Sequence, residues 1–216
     1  GAYGVEGIET TKLQQIAEDT DALFRVVQSI SGEHRYDLEA FYFKVFAKAT
    51  GRQLALDPLY MVPYSPGMTL VSTVDIVSCD RDADFLVISE LYRVPQFETA
   101  LFLQDPTGQI VDPSATIGGI AVHVKAGDHY RLYRVKFPPR SESDSYSGAW
   151  RLYLQVEGDP AEIKRYATSV QVVPGYVPVA FMAAVGSDYR LEASITPGEV
   201  LVGEPLRLSA RTTEAW

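Results

Sequence analysis

Two stretches carry the strongest secondary-structure signal in the chain: residues 98–108 read ETALFLQDPTG, and residues 147–156 read SGAWRLYLQV. Both alternate apolar and polar residues, which is the period of a strand that buries one face. One face of the second stretch would carry Trp150, Leu152, Leu154 and Val156. The pattern predicts an antiparallel β-sandwich, and we expect such a scaffold to serve recognition more than chemistry.

Composition bounds the class of protein. The chain has 216 residues, of which 46% are hydrophobic, so a sizeable core can form. The formal net charge is −9 and no run of Lys and Arg occurs, which argues against a nucleic-acid partner. No apolar stretch is long enough to span a bilayer. Cys79 is the single cysteine, so no intramolecular disulfide can form. Because residue 1 is glycine, we expect a piece of a longer protein or a processed form.

Residues 1–58 make up the first of three predicted zones, in the order strand, helix, strand, helix. We predict a strand at Ala2–Val5, a helix that begins at Thr10 or Thr11, a β-rich run at Leu23–Val27 and a helix at Tyr36–Thr50. The apolar stripe of the last helix is Leu38, Phe41, Tyr42, Val45, Phe46 and Ala49. Strands alternating with helices are typical of an α/β unit.

Residues 59–158 are the predicted β-sandwich, and residues 159–216 a region of further strands. The strands predicted in the sandwich are Thr69–Val77, Phe85–Leu91, Thr99–Gln104, Ile120–Lys125, His129–Phe137 and Ala149–Glu157. Those predicted after it are Tyr166–Val173, Val177–Val185, Tyr189–Ile195 and Leu206–Arg211. The fold class is therefore mainly β with an α/β segment at the N-terminus.

The first zone resembles the C-terminal end of a von Willebrand factor type A domain. Ala2–Val5 resembles its late core strand, Thr11–Thr20 the helix that follows, and Ala22–Val26 the final strand. The helix Tyr36–Gly51 resembles the closing helix. This resemblance implies the tail of a Rossmann-like α/β domain. The family binds a divalent ion through loops that precede the segment at Ala2–Val5, so that adhesion site maps to no residue here.

The second zone resembles the β-sandwich that follows type A domains in calcium-activated chloride channel regulator-like and hemicentin-like proteins. The shared features are the aspartate-rich strand entry at Asp80–Asp84, the Asp-Pro-Thr-Gly turn at 105–108 and Gly-Ala-Trp at 148–150. The third zone resembles the opening of an immunoglobulin-like module through Ser187–Ala193 and Val202–Ser209.

Asp80, Asp82 and Asp84 are the candidate metal ligands. Hard oxygen donors at alternate positions suit calcium, and we expect no other cofactor. An EF-hand is excluded, because its sixth position needs Gly and is Phe85, and its twelfth needs Glu and is Leu91. The alternatives are a calcium site at the edge of the sandwich and a solvated turn between strands, and we expect the turn.

No nucleophile and base converge in the sequence, so we expect no catalytic residue and no enzyme. We expect an adhesion, interaction or scaffold fragment of a larger secreted or cell-surface protein. Its partner would be a protein, either missing domains of the same chain or a second copy. The helix Tyr36–Thr50 should pack on a β-sheet or self-associate.

The alternatives to this function are an accessory sandwich of a secreted or surface hydrolase whose catalytic domain lies elsewhere, and a carbohydrate-binding module. The candidate aromatic platforms of such a module are Tyr92, Phe97 and Tyr146.

Overall fold

The computed structural model of the chain describes residues 10–19, 23–25, 35–63, 67–94, 97–111, 119–139, 146–169, 176–196 and 207–214. Its strands are β1 (Gln53–Pro63), β2 (Met68–Ile76), β3 (Asp80–Ile88), β4 (Glu98–Gln104), β5 (Ala121–Ala126), β6 (Tyr130–Lys136), β7 (Gly148–Glu157), β8 (Tyr176–Ser187), β9 (Tyr189–Thr196) and β10 (Arg207–Glu214). Its helices are α1 (Thr10–Asp19), α2 (Asp37–Ala49), α3 (Pro160–Ser169) and a 3-10 helix at Glu90–Arg93. The described chain is mainly β, as predicted. Within these ranges, no helix has the length and apolar character needed to cross a membrane.

The described strands form antiparallel sheets. A five-stranded sheet has the order β1-β8-β3-β6-β5, and a three-stranded sheet has the order β2-β7-β4. β9 and β10 pair with each other in a third sheet. The inner faces of the five-stranded and three-stranded sheets pack together around one apolar core. The prediction of a sandwich is confirmed at this level.

Strand β7 supplies the centre of that core. Trp150, Leu152, Leu154 and Val156 are all buried, as their alternation predicts. The Trp150 ring stacks on Phe85 of the facing sheet, with 6.3 Å between centroids. Its indole N–H donates to the carbonyl oxygen of Tyr146 at 2.8 Å, so the buried polar atom is satisfied. Each such side chain contributes roughly 1.5–3 kcal/mol of burial free energy.

Strand β8 is buried on both faces. One face adds Val179, Phe181 and Ala183 to the sandwich core. The other face presents Ala180, Met182 and Ala184 to α2. Helix α2 therefore forms a third layer on the outside of the five-stranded sheet. A strand covered on both faces reads as a continuous apolar run, which explains the sequence of residues 177–185.

The sheets cross the predicted zone boundaries. β1 spans position 58, and β8, which follows position 158, lies between β1 and β3. The helix buries one face of the apolar β8 and the three-stranded sheet buries the other. Elements from both predicted zones therefore pack against this strand. β1 has no counterpart among the predicted strands.

Two predicted strands are wrong where the structure describes them. The strand predicted at Tyr166–Val173 is helix α3 up to Ser169, and residues 170–173 lie outside the described ranges. The Asp159 carboxylate accepts from the backbone N–H of Ala161 and Pro160 takes the first helical position, which together start a helix. Residues 23–25 form no strand and pair with no described strand; 26 and 27 lie outside the described residues, as does the predicted strand at Ala2–Val5.

Candidate functional site

A groove of about 520 Å³ runs between α2 and the outer face of the five-stranded sheet. Its wall on the helix side consists of Tyr42, Phe43 and Phe46. Its floor consists of Leu86, Ile88, Tyr130 and Leu132. The floor residues sit in register across two strands, since β3 and β6 pair residue 86 with 132 and residue 88 with 130.

The groove exists because α2 covers only part of the sheet. The helix buries Ala40, Phe43 and Ala47 over β8, where Ala180 and Ala184 allow a close approach. Because the helix lies over β8, it does not cover the outer face of β6. The apolar floor of the groove is open there, beside the helix.

The stripe predicted on α2 does not point at the sheet. Tyr42 is 57% exposed and Phe46 is 38% exposed, and Val45 is exposed as well. Ala40, Phe43 and Ala47 on the opposite face of the helix fit over β8. The predicted stripe is therefore turned outward, with Leu38 and Phe41 half-buried. The prediction that this helix packs on a β-sheet is confirmed, but the face that packs is opposite to the predicted apolar stripe.

A hydrogen-bond network closes one end of the groove. The Tyr36 hydroxyl donates to the carbonyl oxygen of Pro178 at 3.2 Å and accepts from the backbone N–H of Glu90 at 3.2 Å. The Ser89 hydroxyl donates to the same Pro178 oxygen at 3.0 Å. Burial raises the pKa of Tyr36 to about 12, which keeps the phenol protonated. Tyr36 therefore fastens the start of α2 to β8 and the 3-10 helix.

Charged groups lie at the rim of that end. His129 Nδ1 is 3.1 Å from the Glu90 carboxylate, and Arg93 lies 3.2 Å from His129 Nε2. Arginine can only donate, so the guanidinium of Arg93 is the donor in this contact. Glu39 also lines the groove, is exposed, and has no ion-pair partner among the described residues. The groove thus combines an apolar floor with a carboxylate at its rim.

The three candidate calcium ligands are each held by protein groups. The Asp80 carboxylate accepts from the backbone N–H of Val77 at 2.8 Å. Asp84 receives two bonds from Arg134, at 2.8 and 3.0 Å, and Arg52 donates to Asp82 at 2.9 Å. These bonds use at least one oxygen of each carboxylate, and both oxygens of Asp84. In the described part of the chain, no group of three His, Cys, Asp or Glu side chains could hold a metal.

The expected solvated turn at these aspartates is wrong. The segment is strand β3, which begins five residues before the predicted start at Phe85. Asp84 has no exposed surface. Arg134 and Arg52 neutralise the carboxylate, which makes its burial tolerable, and sequence patterning alone gave no sign of either partner.

Of the predicted aromatic platforms, Phe97 and Tyr146 are buried and Tyr92 is half-buried. Tyr146 is buried and stacks on Phe137, and Phe97 is buried against Tyr166. The ring of Tyr92 is covered by the guanidinium of Arg131, 4.2 Å from its centroid. These rings fill space between elements, so they cannot supply the stacking surface that a carbohydrate-binding module needs. His123 is exposed on β5.

The floor of the groove escaped sequence reasoning. Leu86 and Ile88 share the outer face of β3 with Asp82 and Asp84, so that face changes from acidic to apolar along one strand. The signal was the unbroken apolar run at residues 85–88, which indicates a strand end with cover on both faces.

Comparison with known proteins yields no match to a family, a curated protein or a solved structure. The resemblance to a type A domain and its neighbouring modules stays a prediction.

Proposed function

We propose that this chain is a non-enzymatic interaction or scaffold part of a larger secreted or surface protein, and that it binds a partner protein in the groove beside α2. The observation that carries the proposal is the groove itself, whose floor and helix wall are apolar while its rim is polar. Apolar concave surfaces with a few polar groups are the usual form of a recognition site.

The chemistry of the groove describes the segment that it would bind. Leu86, Ile88 and Leu132 call for bulky apolar side chains in the partner. Glu39 at the rim calls for a Lys or Arg beside them, since no described residue pairs with it. An amphipathic helix laid into the groove would satisfy both requirements.

Charge argues against a second copy as the occupant. The chain carries a net charge of −9, so two copies repel each other, and both would bring Glu39 to the contact. A cationic, apolar segment of a different protein, or of another module of the same protein, fits better. The resemblance to a type A domain tail, a sandwich and an immunoglobulin-like opening supports a multi-module setting for this contact.

The titratable groups around the groove support binding over catalysis. Tyr36 is held protonated by burial, and its hydroxyl is used in structural hydrogen bonds. The His129 ring lies between the Glu90 carboxylate and the Arg93 guanidinium, so both of its nitrogens have neighbours in the protein. A catalytic site would instead need a nucleophile and base aimed at one open position.

A displayed library of random peptides tests the proposal. Selection on the wild-type chain should enrich sequences with apolar residues at helical spacing and a flanking Lys or Arg. Phe46→Glu places a charge on the helix wall and should weaken binding of the selected peptides about tenfold or more. Leu70→Glu is the control, because Leu70 is 50% exposed on β2, far from the groove lining. Equal loss in both variants, or selected peptides without this pattern, would overturn the proposal.

A further inference from the structure

Strand β5 ends the five-stranded sheet, and its second edge is unpaired among the described residues. It pairs with β6 on one side, from Ala121 opposite Lys136 to Ala126 opposite Arg131. A terminal strand presents a row of backbone N–H and C=O groups to solvent, which is a template for a further strand.

The two faces of this edge differ in chemistry. Val122 is buried in the sandwich core, and Val124 on the same face is 39% exposed. His123 and Lys125 point to the other face, since they lie opposite Arg134 and Leu132. A strand added here would therefore meet valines on one face and His123 and Lys125 on the other.

The outer face near this edge is positively charged although the chain as a whole is acidic. Lys125 and Lys136 are exposed and have no ion-pair partner among the described residues. The remaining charges, Arg134 and Arg52 with Asp82 and Asp84, balance one another. Two unpaired lysines thus create a local positive field beside the open edge.

We propose that the β5 edge binds an extended segment of a partner protein as an additional strand, with acidic residues facing His123 and Lys125 and apolar residues facing Val122 and Val124. Main-chain hydrogen bonds would give affinity, and the alternation of acidic and apolar side chains would give specificity. This edge adjoins the groove floor, since Lys125 lies opposite Leu132, but the inference does not depend on the groove's occupant.

A second copy is a poorer occupant of this edge. Two β5 strands paired with each other would bring Lys125 of both copies to one face, where like charges repel. A lysine on an edge strand also opposes pairing with other strands in general. An acidic segment can pair here because its carboxylates offset the charge of that lysine.

Synthetic peptides of alternating valine and glutamate are the probe, with alternating valine and lysine peptides as the charge control. Binding is measured by fluorescence anisotropy, and amide hydrogen exchange locates it. The acidic peptide should bind and slow exchange at residues 121–126, and a valine–glutamate peptide with a central proline should bind about tenfold more weakly or worse. The double variant His123→Glu, Lys125→Glu should reverse the preference in favour of the lysine peptide.

Phe46→Glu should leave this binding unchanged, which separates the edge from the groove. The proposal is overturned if no peptide slows exchange at residues 121–126. It is also overturned if the double variant binds the acidic peptide as well as the wild type does, because Lys125 would then serve only to shield the edge.

Discussion

Asp84 is a carboxylate without exposed surface, held between a strand and the end of a helix. Arg134 of β6 donates to both of its oxygens, and Arg52 lies 3.5 Å away. Arg52 reaches this position because α2 ends at Ala49 and Gly51, with a φ of 68°, turns the chain back toward the sheet. The ion pairs therefore tie the C-terminal end of α2 to the sheet that forms the groove floor.

Removing the Asp84 charge should destabilise the fold more than removing its exposed neighbour. Asp84→Asn leaves two arginines without their buried acceptor and should lower the free energy of unfolding by roughly 1.5–3 kcal/mol. Asp82→Asn, whose side chain is 22% exposed, should cost less than about 1 kcal/mol. Urea unfolding measures both, and equal losses would show that the Asp84 pairs contribute no more than a surface ion pair does.

Tyr36 should make the folded protein less stable at alkaline pH. Its folded pKa of about 12 lies above the ordinary value of 10.0, because burial disfavours the phenolate. The raised pKa contributes stability that is complete below about pH 10 and is lost as pH rises toward 12. Tyr36→Phe loses the hydroxyl bonds and should cost about 1 kcal/mol at neutral pH.

The difference between wild type and Tyr36→Phe should therefore shrink as the pH rises. Denaturant unfolding at about pH 8 and about pH 11 provides the comparison, with both proteins at the same ionic strength. Other buried tyrosines affect both proteins alike and cancel in the difference. A gap between the two proteins that stays constant across this range would contradict the account.

At the level of elements, the position of α2 depends on alanines. Ala40 and Ala47 of the helix share a buried cluster with Ala180 and Ala184 of β8, so the helix lies close to the sheet while Tyr42 and Phe46 stay exposed. A bulkier residue at this contact would lift the helix and alter the groove wall.

Ala47→Leu should lower stability by about 1–3 kcal/mol, because Ala47 is 1% exposed and the added methyl groups have no space. Ala49→Leu is the matched control, since Ala49 lies two residues further along the same helix and is exposed. Thermal unfolding of the two variants compares them directly. A neutral Ala47→Leu would mean that α2 does not sit closely on β8.

The sequence predicted elements with strong periodicity better than it predicted their partners. Alternation located β4, β5, β6 and β7, and amphipathicity located α2. Helix α3 was missed because Tyr166 and its neighbours suit a strand by propensity, while the capping at Asp159 and burial of Ile163 favour a helix. Local signals of this kind compete, and tertiary packing decides between them.

The candidate site was harder to predict than the fold. The stripe on α2 contained Phe46 and Tyr42, which do line the groove, but the pattern could not show which face the sheet would take. The burial of Asp84 and the covering of Tyr92 depend on arginines far away in sequence, at positions 134 and 131. Such pairs follow from strand register, which composition and spacing do not specify.

On the scale of the whole molecule, a helix, a five-stranded sheet and a three-stranded sheet are stacked in layers. The groove opens on the helix side of this stack, and Leu70 lies on the three-stranded sheet. The effect of a bound peptide on the groove side can therefore be compared with its effect on the opposite side within one protein.

Methyl NMR of the isoleucine, leucine and valine side chains, recorded while a groove-selected peptide is added, tests the central claim most directly. The account predicts that the methyl signals of Leu86, Ile88 and Leu132 shift in a saturable manner while that of Leu70 stays in place. Saturable shifts at Leu70 without shifts on the groove floor, or no shift at all in the presence of bound peptide, would contradict it.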